Sequence, residues 1–227
     1  MTGKIACMQQ RIQTFKPRRG RYSAQMREGL EHGTQLVTIE ALPPLPQLFD
    51  ERPVILEIGF GMGDATLAQA AAHPEYGVLA IDVHTPGVGR LLAELDARQL
   101  DNVRVIEGDA LELLHDVLPA SSLAGIRIYF PDPWPKARHH KRRIVNAANL
   151  EVMAQALQPG GFLHFATDWA DYAEAARAAL TEHPAYTLLD VEAQPAMASA
   201  ATRPHTKFEL RGVAAGRAIA DLVAVRV

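Results

Sequence analysis

The chain has 227 residues, 48% of them apolar, with 26 Asp/Glu against 23 Lys/Arg and a formal charge of -3. That length suits one compact domain with a full core, and a single cysteine, Cys7, excludes an intramolecular disulfide and fits a reducing compartment. No apolar run reaches the roughly 20 residues that span a bilayer, and residues 1–11 lack the continuous apolar stretch of a secretory signal, so a cytoplasmic protein with no membrane partner is expected.

Residues 1–40 carry seven Lys/Arg against three Asp/Glu and show weak periodicity, which predicts a basic arm, partly disordered when free. Its cations concentrate in Lys16-Pro-Arg-Arg-Gly-Arg21. Leu42-Pro-Pro-Leu-Pro46 is a stiff spacer that halts a preceding helix. Arm and spacer therefore take residues 1–46, and the main domain residues 47–227. From Pro53 the pattern alternates. Residues 54–58 read as a buried strand and 65–72 as a helix, then 77–82 as a strand and 87–99 as a helix. Residues 103–106 form a third strand, 111–118 a short helix, and 125–130 a fourth strand. Residues 147–157 form a helix stopped by Pro159-Gly-Gly161, followed by a strand over 162–166 and a helix over 170–180. Residues 186–190 and 220–227 look like two more strands without a full crossover helix between them, so one is expected to run antiparallel. Near-continuous apolar strands alternating with helices predict a doubly wound α/β fold, a mostly parallel seven-stranded sheet covered on both faces.

The charge is unevenly spread. Residues 41–135 carry five Lys/Arg against fourteen Asp/Glu, whereas residues 136–150 carry five against none. Two basic islands on an acidic body suit a polyanion partner with defined contact points, although charge alone also fits a solvated surface.

Glu57-Ile-Gly-Phe-Gly-Met-Gly63 falls where the first strand turns into the first helix. Gly59, Gly61 and Gly63 let the backbone approach a ligand there. The spacing is not the Gly-x-Gly-x-x-Gly of dinucleotide binders, and Glu57 would repel a pyrophosphate while attracting the cationic amino-acid end of S-adenosyl-L-methionine. Asp82 closes the second strand, where an acid can accept both ribose hydroxyls. Gly108-Asp109-Ala110 follows the third strand, with Asp109 placed for an adenine amine. Each acid alone also suits a helix N-cap or a solvated strand end. Three at successive strand ends point to one cofactor.

The fourth strand leads to Phe130-Pro-Asp-Pro-Trp134. Flanking prolines stiffen the turn and preorganise Asp132. Trp134 either stacks on a base or belongs to the core. Lys136, Arg138, Lys141, Arg142 and Arg143 follow with His139 and His140, a segment suited to phosphate contacts. Thr167-Asp-Trp169 reaches the same rim, with Asp168 also a candidate N-cap. Thr206-Lys-Phe-Glu209 fits a capping box, and Arg203, Lys207 and Arg211 around it suggest a second polyanion contact. His139, His140 and His164 show no metal-ligand spacing with Cys7 or the acids, so no metal site is expected.

Taken together, Glu57-Ile-Gly-Phe-Gly-Met-Gly63, Phe130-Pro-Asp-Pro-Trp134, His140-Lys-Arg-Arg143, Ala166-Thr-Asp-Trp169 and Arg203-Pro-His-Thr-Lys-Phe-Glu-Leu-Arg-Gly212 resemble the bacterial tRNA (guanine-N7-)-methyltransferase family, from about residue 18 to the C-terminus. The resemblance implies a class I, Rossmann-like methyltransferase fold and methyl transfer from S-adenosyl-L-methionine to guanine N7 in the tRNA variable loop. It implies cofactor contacts at Glu57, Asp82, Asp109 with its neighbour Ala110, and Asp132, the last also the catalytic acid. It further implies substrate contacts at Lys136, Asp168, Thr206, Lys207, Phe208 and Glu209, and RNA contacts along Arg138, His139, His140, Lys141, Arg142 and Arg143. The chain departs from the family pattern at Asp82, usually Glu, and at Pro135 and Ala137, usually His and Lys. The shorter acid should cost little, and the missing cation at residue 137 should weaken RNA binding slightly. A nicotinamide oxidoreductase, a non-catalytic RNA-binding protein and a methyltransferase of another base are the alternative readings, and both monomer and homodimer remain open.

Overall fold

The computed structural model describes residues 12–16, 22–189, 209 and 216–227. Its strands are β1 Val54–Ile58, β2 Gly77–Asp82, β3 Val103–Glu107, β4 Leu123–Tyr129, β5 Leu157–Thr167, β6 Tyr186–Leu188 and β7 Ala220–Arg226. They form one sheet in the order β3-β2-β1-β4-β5-β7-β6. The first five are parallel, and β7 runs antiparallel to both β5 and β6. The expected antiparallel member of the last pair is therefore β7. Every residue of β1 and of β4 is buried, which is why both read as unbroken apolar runs apart from Glu57 and Arg127.

The helices are α1 Ala24–His32, α2 Leu45–Leu48, α3 Asp64–Ala72, α4 Thr85–Ala97, α5 Ala110–Glu112, α6 Ala147–Ala156 and α7 Ala170–Glu182, with a π turn over Leu113–Val117 and a 3-10 turn over Ala137–Arg142. Leu67 and Ala70 of α3 pack with Val88, Leu91, Leu92 and Leu95 of α4 against one sheet face. Leu111, Leu150, Met153, Tyr172 and Leu180 from α5, α6 and α7 fill the other. The doubly wound arrangement follows directly. Among the described residues no helix is long and apolar enough to cross a membrane.

Residues 22–48 differ from the expected arm and spacer. Ser23 caps α1, its Oγ accepting the Met26 N–H at 3.2 Å. The helix then packs on α4 through glycines: a Cβ on Gly29 would stand 2.1 Å from the Gly89 carbonyl oxygen. Hydrophobic periodicity is weak there because backbone meets backbone. Beyond α1, Val37 N–H donates to Val105 O and Val105 N–H to Gln35 O, both at 2.9 Å, extending the sheet edge. The Pro-rich segment opens α2 with proline in its first turn and buries Leu45 and Phe49. The second departure is Pro159-Gly-Gly161. These residues do not separate helix from strand; they form a bulge inside β5, where Leu157 pairs with Leu123 and Phe162 with Gly125. Proline is tolerated at a bulge because no ladder donor is needed there.

An alanine at residue 29 tests the α1–α4 contact by its sign. Gly→Ala within a helix ordinarily stabilises by about 0.5–1 kcal/mol, but here overpacking should cost about 1–3 kcal/mol. Thermal unfolding of G29A should shift down. An upward shift would mean that α1 does not pack as described.

Candidate active site

The strand order reverses between β1 and β4, with β2 and β3 on one side and β5 on the other. Ligands of open α/β sheets bind at the carboxyl ends of strands beside such a switch point. A cavity lies there, lined by Glu57, Gly59, Gly61, Asp82, Asp109 and Ala110 from the first three strand ends and by Asp132 from the fourth. The candidate cofactor residues thus share one cavity, except Gly63. That glycine caps α3 at φ +79°, and a Cβ on it would sit 2.8 Å from Leu91 Cδ1. Its role is to let α3 and α4 approach.

Each acid is held by specific donors. Glu57 is 2% exposed, and its Oε1 accepts the Thr66 hydroxyl at 3.0 Å. Its Oε2 is buried without a hydrogen bond from the described residues. Burial pushes the Glu57 carboxyl up from its ordinary value, opposed by the charge of Arg127 and by Thr66. Asp82 accepts the Gly61 N–H at 2.7 Å on one oxygen and the His84 N–H at 2.9 Å on the other. Its carboxyl is also raised by burial, against those two bonds. Asp109 caps α5 through the Leu111 N–H at 2.9 Å, so the cap reading holds for that acid beside any ligand role, whereas Glu57, 2% exposed, is neither a cap nor a solvated strand end. Arg90 fixes the glycine turn from α4, donating to Met62 O and, at 2.7 Å, to Asp64 Oδ1. Nothing in its sequence context marked it.

Two features fit S-adenosyl-L-methionine. An unsatisfied buried carboxylate oxygen suits a cationic amine and disfavours pyrophosphate. Gly59 has φ +77° and open space where a Cβ would project, leaving the turn free for a close ligand.

The Asp132 turn is more constrained than its prolines imply. Phe130 has φ +51° and Trp134 φ +46°, a left-handed conformation costing about 1–3 kcal/mol per bulky residue. The Phe130 N–H donates to Ala166 O at 2.8 Å. Asp132 Oδ2 accepts the main-chain N–H of Lys16 at 3.0 Å, and Thr14, Phe15 and Lys16 line the cavity. This N-terminal contribution had no sequence signal beyond the basic cluster. Trp134 is 4% exposed; its Nε1 donates to Thr14 O at 2.9 Å. Lys16 Nζ and the Arg142 guanidinium each stand 4.9 Å from its ring centroid. Of its two readings, the core one is met.

The basic run divides. Lys136, Arg138 and Lys141 are exposed, and Arg142 leans on Trp134. His139 is held below its ordinary value by desolvation and then by Arg138, Arg142, Lys136 and Lys16. His140 Nε2 lies 3.7 Å from Asp171 Oδ2. Arg143 corrects the RNA-contact expectation. It is 3% exposed, donates from Nε to Pro133 O at 3.0 Å and from one Nη to both Asp171 oxygens at 2.8 and 2.9 Å. The donors named here face the protein and support the Asp132 turn from behind.

Asp168 neither lines the cavity nor caps α7. It pairs with Arg217 at 3.1 Å, while Thr167 Oγ1 accepts the Trp169 N–H at 3.2 Å. Glu209 is buried. Thr206, Lys207 and Phe208, with Arg203 and Arg211, lie outside the described residues. No group of three or more His, Cys, Asp or Glu among the described residues is arranged to hold a metal ion.

Comparison with known proteins agrees with this geometry. A family model described as "Putative methyltransferase" matches residues 51–222. The tRNA (guanine-N(7)-)-methyltransferase of Thiobacillus denitrificans is 46% identical, covering 94% of this chain and 94% of that protein. The protein of the same name from Streptomyces avermitilis is 45% identical over 96% of this chain and 77% of its own length. Among solved structures, the 16S rRNA methyltransferase KamB matches with a TM-score of 0.53 at 18% identity, over 79% of this chain and 89% of that one, which shows the shared fold.

Proposed function

The chain belongs to the tRNA (guanine-N(7)-)-methyltransferase family, its reaction is therefore methyl transfer to guanine N7 in tRNA, and we propose that Glu57, Asp82, Asp109 and Asp132 bind the methyl donor and the base. The observation that carries this reading is that the acids from four successive strand ends line one cavity. S-adenosyl-L-methionine, when bound, supplies a methyl group already activated on a sulfonium. Glu57 holds the cationic amine, Asp82 the ribose hydroxyls and Asp109 the adenine amine.

Guanine N7 carries a free lone pair at neutral pH, so the enzyme needs no general base before transfer. What this chain contributes is alignment, worth up to roughly 7–11 kcal/mol in favourable cases, and a fixed negative charge. The purine becomes cationic as N7 is alkylated. Asp132, in a turn fixed by Pro131, Pro133 and Arg143, stabilises that charge more than the neutral ground state. Its carboxylate also accepts from the N1/N2 donor edge of guanine. A stacked target base must swing out, at a few kcal/mol. The variable loop is the proposed location of this guanine.

Lys136, Arg138 and Lys141 supply the exposed phosphate grip, salt-dependent and indifferent to sequence. Replacing Arg138 and Lys141 with alanine should raise the KM for tRNA and reduce the slope of log affinity against log salt by roughly one per lost contact. An unchanged slope would remove these residues from the interface. The function itself is tested by incubating the protein with labelled S-adenosyl-L-methionine and unmodified tRNA. Nucleoside mass spectrometry should find 7-methylguanosine; its absence, or label on another nucleoside, would overturn the reading.

A further inference from the structure

Glu57 has a charged neighbour in the sheet. In register, Glu57 of β1 stands opposite Arg127 of β4, and Arg127 opposite His164 of β5. Residues paired this way share a face. Glu57, Arg127 and His164 are 2%, 1% and 3% exposed. His164 is bounded by Tyr129 Oη, 3.1 Å from Nδ1, and by Asp221 Oδ1, 2.9 Å from Nε2. The Arg127 guanidinium stands 6.0 Å from the Phe162 ring centroid. On its other sides Glu57 meets Thr66 of α3 and, in register on β2, the apolar Ala80.

A carboxyl this deep is neutralised by desolvation unless a cation faces it. Burial is the largest influence on Glu57 and raises its pKa, and the charge of Asp82 adds to the rise. Arg127 is the foremost opposing influence, ahead of the Thr66 hydroxyl. Yet Arg127 is not among the residues lining the cavity. We propose that Arg127 is a positioning residue for cofactor binding, the buried counterion that keeps Glu57 a carboxylate for the amine of the methyl donor. This rests on the role given to Glu57 above. Arg127 touches neither cofactor nor base. It acts through the neighbouring strand.

The test is the Kd of S-adenosyl-L-methionine, by calorimetry at pH 6, 7 and 8, for the wild type, R127Q, R127K and E57Q. Without its counterion Glu57 stays protonated to higher pH, so R127Q should bind about tenfold more weakly than wild type at pH 6. The ratio of the two constants should narrow toward pH 8, and R127K, which retains a cation, should follow wild type throughout. A wild-type Kd for R127Q, or a loss of equal size at every pH, overturns the proposal. E57Q separates the two claims. Wild-type binding by E57Q removes the role of Glu57 itself, whereas weak binding by E57Q beside unaltered R127Q removes only that of Arg127. A second measurement covers R127Q failing to fold: the double variant E57Q/R127Q, free of the unpaired buried charge, should melt higher than R127Q, and no recovery would also overturn the proposal.

Discussion

Asp132→Asn is expected to lower single-turnover methyl transfer by about 10²–10³-fold, equivalent to about 2.7–4 kcal/mol, the usual effect of removing one preorganised group from a developing charge. The substitution preserves shape, and the asparagine oxygen can still accept the Lys16 N–H that now reaches Asp132 at 3.0 Å. Binding of S-adenosyl-L-methionine should persist, because Glu57, Asp82 and Asp109 are untouched. D132A should abolish turnover while cofactor still binds, since it removes both the charge and the acceptor for the base. Rapid-quench transfer assays beside calorimetry separate chemistry from binding. Wild-type turnover by D132N would show that the carboxylate charge is not used.

The second large effect is one of stability, at a residue that sequence places on the RNA surface. Arg143→Ala removes three hydrogen bonds from a guanidinium packed 4.7 Å from the Tyr172 ring centroid. Losing one partner of a buried ion pair costs about 3–5 kcal/mol. Asp171 is about half exposed and regains water, so a loss of roughly 2–4 kcal/mol is expected. For a chain of this size that lowers Tm on the order of 5–10 °C. Well below its Tm the variant should keep wild-type tRNA affinity and salt slope. A variant that melts like wild type but binds tRNA more weakly, with a smaller salt slope, would return Arg143 to the RNA interface.

The parts of the site legible in sequence are those encoded locally. Apolar runs ending in Glu57, Asp82 and Asp109 announce both strand and acid, because a doubly wound sheet brings consecutive strand ends to one edge. Asp132 was equally visible between its prolines. Contacts between distant backbones were not. The α1–α4 packing depends on Gly29 and Gly89, which contribute nothing to hydrophobic periodicity. The Lys16 N–H on Asp132 spans 116 residues and uses a main-chain group that every non-proline residue possesses. Arg143 looked like its neighbours because charge patterning reports composition and not direction. Its burial depends on Asp171, 28 residues later. Arg127 carried no reading in the sequence, and its place opposite Glu57 required the strand order.

Methyl delivery to guanine N7, with Asp132 steadying the cation that forms, is the chemistry proposed for this chain. Its most direct test is single-turnover transfer to a tRNA in which the acceptor guanine is replaced by 7-deazaguanine, which keeps the N1/N2 edge and loses only the nucleophilic nitrogen. Binding should lie within a few-fold of that of the unmodified tRNA, with no transfer of label. Label arriving on the deaza substrate at the normal rate would contradict it.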